Sequence, residues 1–461
     1  MTQPIPTAFS LGAADFRNRY GLSSAYMCGA MYKGVASTAL VACAGQAGLL
    51  ASFGAGGLSP DQVDAAAKQL ATTLGDRRPW AMNLLCNIER PERESQLVDI
   101  VMRHRVPVVE ASAFMSITPA LARLRALSLT PTGGGIGRTV RIIAKLSRPE
   151  IAEAFLAPVP AALLERLRAS GAITAEQAGL AARVPVADDL VVEADSGGHT
   201  DRGVAQVLVP VIARLRDRKA MPGERVHLGV GGGIGTPEAA LAALMLGADF
   251  LVTGSINQCT VESGASEAVK DLLAQMRVQD TGYAPAGDMF ELGAKIQVLR
   301  RGVLFPNRAN QLYELWQRHE SMDEIPAAVR QKLEADVFRK SLTEVWEETR
   351  AHLRQSNPLA CDRAEREPKA RMAAVFTWYF AFSTRVAMAG EVARKADFQI
   401  HTGPSLGACN QWLEGSGVED WRQRHVDDLA RRLLDGAHQL LAQWLVRHGG
   451  ASRAASGNQI N

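Results

Sequence analysis

The stretch VHLGVGGGIGTPEAALAALMLGADFLVTGS, residues 226–255, holds two short apolar runs on either side of a glycine turn and a helical segment. The runs VHLGVG (226–231) and DFLVTG (249–254) are apolar throughout, which is typical of strands that are covered on both faces. Thr236 is suited to cap the intervening helix, and Pro237 to occupy its first position. The stretch therefore predicts two parallel strands joined by a helix.

The same alternation of strand and helix recurs along the chain and gives eight pairs before residue 280. The other six predicted strands are SAYMCG (24–29), LLASFG (49–54), WAMNLL (80–85), PVVEAS (107–112), VRIIAKL (140–146) and LVVEAD (190–195). Eight such units predict an α/β fold, a (β/α)8 TIM barrel over residues 1–300. An open doubly wound sheet is the alternative, but its ligand binds more often at the first βα turn, whereas the glycines here follow the last three strands.

The C-terminal part of the chain has a different composition. Six of the seven tryptophans follow residue 300, and strand signals nearly vanish there. In HVDDLARRLLDGAHQLLAQWLV (425–446) the apolar positions are three or four residues apart, which indicates an amphipathic helix lying on a core. We expect residues 301–461 to form an appended, mostly α-helical substrate or lid region whose C-terminal helices pack back on the barrel.

The composition narrows the class of protein. Of the 461 residues 47% are hydrophobic and 21% charged, which is enough for a sizeable core. The net charge of +3 is made of interspersed charges, so a nucleic-acid or membrane-surface binder is not indicated. The six cysteines form no C-x-x-C pair, and the chain begins without a signal pattern. We expect a cytoplasmic protein with reduced thiols, no bound metal and no membrane segment.

Two glycine turns follow the last two predicted strands. Gly231, Gly232 and Gly233 directly precede the helix that starts at Thr236, and Gly254–Ser255 follows the next strand. Bare backbone N–H groups at a helix N-terminus form an anion site. Either turn alone is equally compatible with a tight βα connection that binds nothing. Adjacent turns after the seventh and eighth strands are how such barrels hold a phosphate.

The sixth predicted strand ends in VVEADSGGHT (191–200), which places His199 behind two glycines. Glu193 and Asp195 alternate along this strand, so both point to the same face. Asp195 is a candidate to orient His199, and Glu193 is a candidate to pair with Lys145 of the fifth strand. A histidine that only braces the loop is the alternative for His199, and no third or fourth ligand completes a metal site.

Several short motifs resemble those of a known group of flavoenzymes. They are Gly29-Ala30-Met31 after the first strand, Asn83 in the third, Gly197-Gly198-His199 after the sixth, Gly232-Gly233-Ile234 after the seventh and Gly254-Ser255 after the eighth. Together they resemble the FMN-dependent TIM barrels that include nitronate monooxygenases and flavin-type enoyl-acyl-carrier-protein reductases. The blocks GSINQCTVESGAS, DMFELGAKIQVLRRGVLFPNRANQLYELW, KARMAAVFTWYF and DFQIHTGPSLGACNQWLEGS are similar to the PfaD branch of that superfamily.

This resemblance implies a set of cofactor contacts. The FMN phosphate would lie on the amides of Gly231, Gly232, Gly233, Gly254 and Ser255, with Gly198 beside the flavin. The ring would lie near Ala30, Met31 and Asn83. Lys145 would reach the ring or the ribityl chain, where a cation stabilises the negative charge of the reduced flavin.

The resemblance also implies the reaction. NADPH would reduce FMN, which would pass hydride to the β-carbon of an α,β-unsaturated thioester. The substrate would be carried by an acyl carrier protein, in trans to a polyketide or fatty acid synthase. His199 would donate a proton to the α-carbon or a hydrogen bond to the thioester oxygen. The resemblance is compatible with a homodimer.

Three other functions stay open at this point. A nitronate monooxygenase would use the same flavin without a nicotinamide, and a flavin-binding partner would only help to assemble a synthase. A nucleotide dehydrogenase would use Cys259 as a nucleophile, although a packed thiol is the simpler interpretation. His401, in the glycine-rich stretch IHTGPSLGACN (400–410), belongs either to a lid or to a turn between helices.

Overall fold

The computed structural model describes residues 10–75, 78–87 and 90–448. Its strands are β1 (Tyr26–Cys28), β2 (Leu50–Phe53), β3 (Ala81–Leu85), β4 (Val108–Ser112), β5 (Leu129–Thr132), β6 (Gly135–Arg138), β7 (Arg141–Leu146), β8 (Asp189–Glu193), β9 (Gly198–His199), β10 (His227–Gly231), β11 (Phe250–Thr253), β12 (Thr281–Pro285) and β13 (Lys295–Leu299). Eight of them form a closed barrel in the order β1-β11-β10-β8-β7-β4-β3-β2. Every pairing in the barrel is parallel. Each predicted strand overlaps one barrel strand, so the predicted TIM barrel is confirmed.

The α-helices follow the barrel strands and fill most of the C-terminal part. They are α1 (Ala14–Tyr20), α2 (Thr38–Gln46), α3 (Pro60–Leu74), α4 (Pro91–Arg103), α5 (Pro119–Leu127), α6 (Pro149–Leu156), α7 (Ala161–Ala169), α8 (Ala175–Ala181), α9 (Ala205–Arg218), α10 (Pro237–Met245), α11 (Glu267–Ala274), α12 (Phe305–Arg318), α13 (Ala327–Lys332), α14 (Leu342–Ser356), α15 (Pro358–Arg366), α16 (Pro368–Ala389), α17 (Pro404–Trp412) and α18 (Val426–His448). None of the helices in the described part of the chain is both long and apolar enough to span a bilayer.

The chain divides into two compact units. The barrel unit holds residues 10–195, 202–264 and 415–448 of the described chain, and the second unit holds residues 196–201 and 265–414. The boundary expected at residue 300 differs from this division, because residues 265–300 belong to the second unit. The last helix packs in the barrel unit, as the sequence analysis expected for the C-terminal helices. In that unit α18 packs on α10 so closely that a Cβ on Gly436 would lie 2.5 Å from Pro237.

Helix starts follow local capping chemistry. Ser59 and Gln62 form a reciprocal capping box before α3, with Pro60 in the first turn. The Thr236 side chain accepts a hydrogen bond from the Ala239 N–H at 3.4 Å at the start of α10. These contacts fix where α3 and α10 begin.

Apolar side chains fill the amino-terminal end of the barrel. Phe16 of α1 is buried in a cluster with the first residues of several strands, among them Leu50, Ala81 and Val108. Its ring stacks on Phe250 with centroids 3.9 Å apart and planes 7° apart. Since this end is filled with packed side chains, polar chemistry is left to the carboxyl ends of the strands.

Buried acids at the amino-terminal ends of the strands serve the fold. Asp189 is buried and accepts hydrogen bonds from Arg19 and from His227 Nδ1, both at 2.8 Å. Asp188 is paired with the buried Arg125 at 3.0 Å. Burial alone raises the pKa of Asp188, but Arg125 and Arg138 outweigh it and lower the pKa. Polar residues at this end of a barrel are typical of stability rather than catalysis.

Two small sheets were not predicted from the sequence. β5 and β6 form an antiparallel hairpin in the barrel unit. In the second unit, β12, β13 and β9 form an antiparallel sheet in that order. β9 is only two residues long, and a run this short carries no periodic signal.

We expect Phe16→Ala to lower the free energy of unfolding by about 3–5 kcal/mol, because it leaves a cavity against Phe250. Urea denaturation followed by circular dichroism measures the loss. Phe16→Leu keeps most of the volume and should lose clearly less. Equal losses for the two variants would contradict the packing role of the ring.

Candidate active site

The backbone of the turn after β10 favours glycine at two positions. Gly232 and Gly233 have φ of +89° and +76°, a region that residues with a side chain rarely adopt. A Cβ on Gly232 would lie 2.7 Å from the Ala194 carbonyl oxygen, whereas one on Gly233 would meet no heavy atom within 4 Å. The turn is therefore packed on one side and borders open space on the other.

The turn after β11 lies beside the turn after β10. β10 and β11 pair in parallel, with Gly231 opposite Val252, so both turns lie at the same end of the barrel. A Cβ on Gly254 would also meet nothing within 4 Å, and Ser255 begins a short 3-10 helix. With the N-terminus of α10 directly after the first turn, this end offers open backbone and a positive helix end, which suits a phosphate.

Lys145, near the end of β7, lies between two carboxylates. Its Nζ is 3.1 Å from Glu193 Oε1 and 3.5 Å from Glu110 Oε1. Burial alone lowers the pKa of Lys145, but Glu193 and then Glu110 outweigh it and raise the pKa above its ordinary value. The pairing with Glu193 expected from the sequence is present, and the lysine carries a full positive charge at neutral pH.

Glu110 of β4 is a residue that was not singled out from the sequence. Its side chain is 1% exposed, and its Oε2 accepts a hydrogen bond from the Ala30 N–H at 2.9 Å. The Asn83 side chain donates to the Glu110 carbonyl and to Ser112 Oγ, both at 3.0 Å. Glu110 thus brings Ala30, Asn83 and Lys145 together. An acid inside the otherwise apolar run PVVEAS was the available signal.

These contacts limit how the predicted cofactor residues can bind. The Ala30 N–H donates to Glu110. The carbonyl and the methyl group of Ala30 are therefore the atoms left to contact a ligand. Asn83 uses its amide nitrogen within β4, so its Oδ1 is the atom that could accept from a ligand. Met31 is buried. A Cβ on Gly54 would lie 1.7 Å from the Met31 carbonyl oxygen, so the turn after β1 needs this glycine.

His199 and Gly198 lie in the second unit, on β9. Strand β9 pairs with β13, with His199 opposite Ile296. His199 Nε2 lies 2.8 Å from Asp288 Oδ1. The carboxylate at Nε2 is therefore that of Asp288, 89 residues further along the chain. The role suggested from the sequence for Asp195, to orient His199, stays a prediction. Gly198 has φ of +89° and belongs with His199, not to the barrel unit.

His401 lies close to the same strand. A Cβ on Gly198 would lie 3.6 Å from His401 Nδ1, and His401 Nε2 is 2.7 Å from Gln399 Nε2. Burial first, and the neighbouring His199 second, lower the pKa of His401 to about 4. His401 is therefore neutral near pH 7 and accepts the hydrogen bond from Gln399.

Two further kinds of site considered from the sequence are a cysteine nucleophile and a metal site. Cys259 is fully buried, which supports the packed-thiol interpretation over a nucleophile. In the described ranges, no three His, Cys, Asp or Glu side chains are grouped so that they could hold a metal ion.

Two family models match the chain. The nitronate monooxygenase model matches residues 24–313, and the model of the inserted helical domain of [acyl-carrier-protein] S-malonyltransferases matches residues 319–398. Because the first covers more than half of the 461 residues, the chain belongs to the nitronate monooxygenase family. Membership in this family implies a flavin cofactor.

Curated relatives come from larger biosynthetic proteins. The chain is 47% identical to the polyketide biosynthesis protein PksE of Bacillus subtilis over 439 residues, which cover 94% of this chain and 57% of PksE. It is 44% identical to a polyunsaturated fatty acid synthase component of Thraustochytrium sp. over 427 residues, which cover 91% of this chain and 28% of that component. The chain thus spans little more than half of the first relative and less than a third of the second.

Solved structures agree with the fold. The enoyl reductase domain of MlnA, from the macrolactin biosynthesis cluster of Bacillus amyloliquefaciens, is 39% identical with a TM-score of 0.91, covering 95% of this chain and 99% of that one. FabK from Thermotoga maritima is 17% identical with a TM-score of 0.57, covering 94% and 98%. At this identity the second match shows the fold alone.

We expect Lys145→Met to lower the free energy of unfolding by about 3–5 kcal/mol, because it leaves the buried Glu110 carboxylate without its cation. Adding Glu110→Gln should recover part of this loss. Urea denaturation of both variants measures these changes. The control is Lys68→Met, because Lys68 is exposed on α3. We expect this control to stay within about 0.5 kcal/mol of wild type. Strictly additive losses would show that Lys145 and Glu110 do not interact.

Proposed function

We propose that the protein is an FMN-dependent enoyl reductase that consumes NADPH and reduces the α,β-double bond of thioesters carried by an acyl carrier protein. The observation that carries the proposal is the similarity to the enoyl reductase domain of MlnA, which extends over 95% of this chain at 39% identity. The reaction would occur in trans during polyketide or fatty acid synthesis. The names of PksE and of the fatty acid synthase component support this setting.

The residues at the carboxyl end of the barrel fit FMN. The phosphate would bind the turns of Gly231–Gly233 and of Gly254 and Ser255, whose backbone borders open space at Gly233 and at Gly254. The flavin ring would lie near Ala30, Met31 and Asn83. When bound and reduced by NADPH, FMN supplies the hydride that the substrate's β-carbon accepts.

Lys145 would compensate the negative charge of the reduced ring. Its charge is held by Glu193 and Glu110, so it needs no proton from solvent during the cycle. Lys145 therefore acts as a fixed cation rather than as a proton donor.

His199 would supply the proton. Hydride addition places negative charge on the thioester oxygen and the α-carbon, and an imidazole can donate to either near neutral pH. The side chain of His199 is 46% exposed, so it is accessible to a substrate. We include in the proposal a cytoplasmic location and a synthase partner, with a homodimer as a compatible assembly.

The cofactor proposal is tested with two glycine variants. Gly233 and Gly247 both have positive φ, and a Cβ on either would meet no atom within 4 Å. We expect Gly233→Ala to weaken FMN binding about tenfold or more, which corresponds to about 1.4 kcal/mol, while Gly247→Ala at the far end of α10 should not. Fluorescence titration of the apoprotein with FMN measures both affinities. Equal affinities for the two variants would exclude this phosphate site.

The reaction is tested with crotonyl-CoA as substrate. We expect the purified protein to release FMN on denaturation and to oxidise NADPH when crotonyl-CoA is added. His199→Asn should slow this turnover about 100-fold, in the range of lost general acid catalysis, while NADPH still reduces the flavin. Consumption of oxygen with a propyl nitronate, without a need for NADPH, would instead support a nitronate monooxygenase, which the match to that family also favours. Bound flavin with neither activity would support a non-catalytic partner.

A further inference from the structure

The loop that joins β12 to β13 is anchored on both sides of Asp288. The Ala286 N–H donates to the Ala294 carbonyl at 2.8 Å and closes the hairpin. A Cβ on Gly287 would lie 2.8 Å from Phe380 Cβ, so the backbone before Asp288 lies directly on α16. The loop is therefore held in place beside the acid.

Phe290 anchors the loop after Asp288. Its buried ring makes edge contacts with Tyr313, Trp316 and Phe380, at centroid distances of 5.3, 5.5 and 5.7 Å. With Gly287 held at the position before Asp288, the backbone of Asp288 has little freedom to move. This distinguishes it from an acid on a mobile surface loop.

The backbone of His199 is held as firmly. Its strand pairs with β13, and the Thr200 N–H donates to the Lys295 carbonyl at 3.3 Å. A Cβ on Gly197 would lie 2.6 Å from Thr402 Cα, so the chain before the histidine is pressed against a neighbouring segment. Acid and imidazole therefore meet because their backbones are fixed, not because two long side chains find each other.

Titratable groups near the imidazole of His199 include Asp288 and His401. Asp288 contacts Nε2, and His401 lies beside Gly198 on the segment that pairs with Val298. Lys295 follows on β13, with its ammonium group 4.7 Å from the centre of the Tyr313 ring. His401 is neutral near pH 7, because burial and then His199 lower its pKa to about 4.

The titration of Asp288 agrees with this arrangement. Burial alone raises its pKa, but the hydrogen bond and the charge of His199 outweigh burial and lower the pKa below its ordinary value. The acid is therefore ionised at any pH at which the protein would work. A fixed carboxylate at Nε2 favours the protonated imidazole.

We propose that Asp288 is a positioning residue that keeps His199 protonated and directs Nδ1, rather than Nε2, as the proton donor of the reaction. This proposal rests on the proposed function and adds Asp288 to the residues that take part in it. Because Asp288 accepts a hydrogen bond from Nε2–H, the imidazolium transfers the proton on Nδ1. The Nδ1–H bond breaks, its electron pair stays on the ring, and a C–H bond forms at the α-carbon of the enolate that hydride addition leaves. Solvent then returns a proton to Nδ1.

An ordinary surface ion pair is the alternative. The two side chains are 46% and 62% exposed, and exposed pairs contribute little to stability. The two interpretations differ in outcome, because a surface pair changes neither the protonation of His199 nor the pH dependence of the reaction.

The test is the pH profile of kcat/KM for Asp288→Asn, with crotonyl-CoA and NADPH. We expect the limb at which activity falls with rising pH to move down by about one unit, because the carboxylate no longer favours the imidazolium. On the falling limb, kcat/KM of Asp288→Asn should be about tenfold below that of wild type at the same pH. The rate of flavin reduction by NADPH should stay at the wild-type value. Asp288→Glu should restore part of the activity.

Glu291→Gln is the matched control. It removes one carboxylate from the same loop, where Glu291 pairs with Arg363 at 2.7 Å. We expect its profile to match wild type. A profile shifted equally in both variants would mean that only the net charge of the loop matters, and it would overturn the proposal.

A second measurement does not depend on activity. Nitrogen-15 NMR of the histidine rings reports the protonation of His199, identified by its loss in His199→Asn. We expect its titration midpoint to move to lower pH in Asp288→Asn. If His199→Asn is impaired, an unchanged midpoint and profile would overturn the positioning role of Asp288 and leave the proposed function intact. If His199→Asn is fully active, the proposed role of His199 fails, and the role of Asp288 fails with it.

Discussion

The pairing of β1 with β11 closes the ring of strands, and the rest of the barrel unit depends on it. Because all eight strands run in the same direction, closure brings their carboxyl ends to one end of the barrel. Phe16 and the side chains around it fill the other end. Turns that are far apart in the sequence, such as those after β1 and β10, therefore open on the same end. No local interaction could bring these segments together.

Within that ring, one buried acid links the polar residues of three strands. Glu110 binds the Ala30 N–H with its carboxylate, accepts from Asn83 with its carbonyl, and lies beside Lys145. A carboxylate this deeply buried needs a cation and hydrogen bonds around it. Glu110 and Glu193 in turn keep Lys145 charged. The turn after β1 and the position of the lysine are thus set by the same side chain.

The second unit contains His199, the proton donor that we propose, and Asp288. The chain leaves the barrel unit after Asp195 and re-enters it at residue 202, and the Asp195 N–H donates to the Gly203 carbonyl at 2.8 Å. Two of the six residues between, Gly198 and His199, form a strand of a different sheet, in which His199 lies opposite Ile296 of β13. We infer a division in which backbone turns of the barrel unit suit a cofactor and the second unit carries the imidazole with its carboxylate.

The sequence by itself determined the eight barrel strands, the glycine turns and the helix starts. Apolar runs, positive-φ glycines and capping residues act over a few positions, so their signals are local. Only the tertiary structure decided which distant residues meet. Asp288 reaches His199 across 89 residues, and Glu110 joins the turn after β1 to β3 and β7. Side chains on separate segments become neighbours only when strands pair and helices pack, and that pairing leaves no mark in either segment alone.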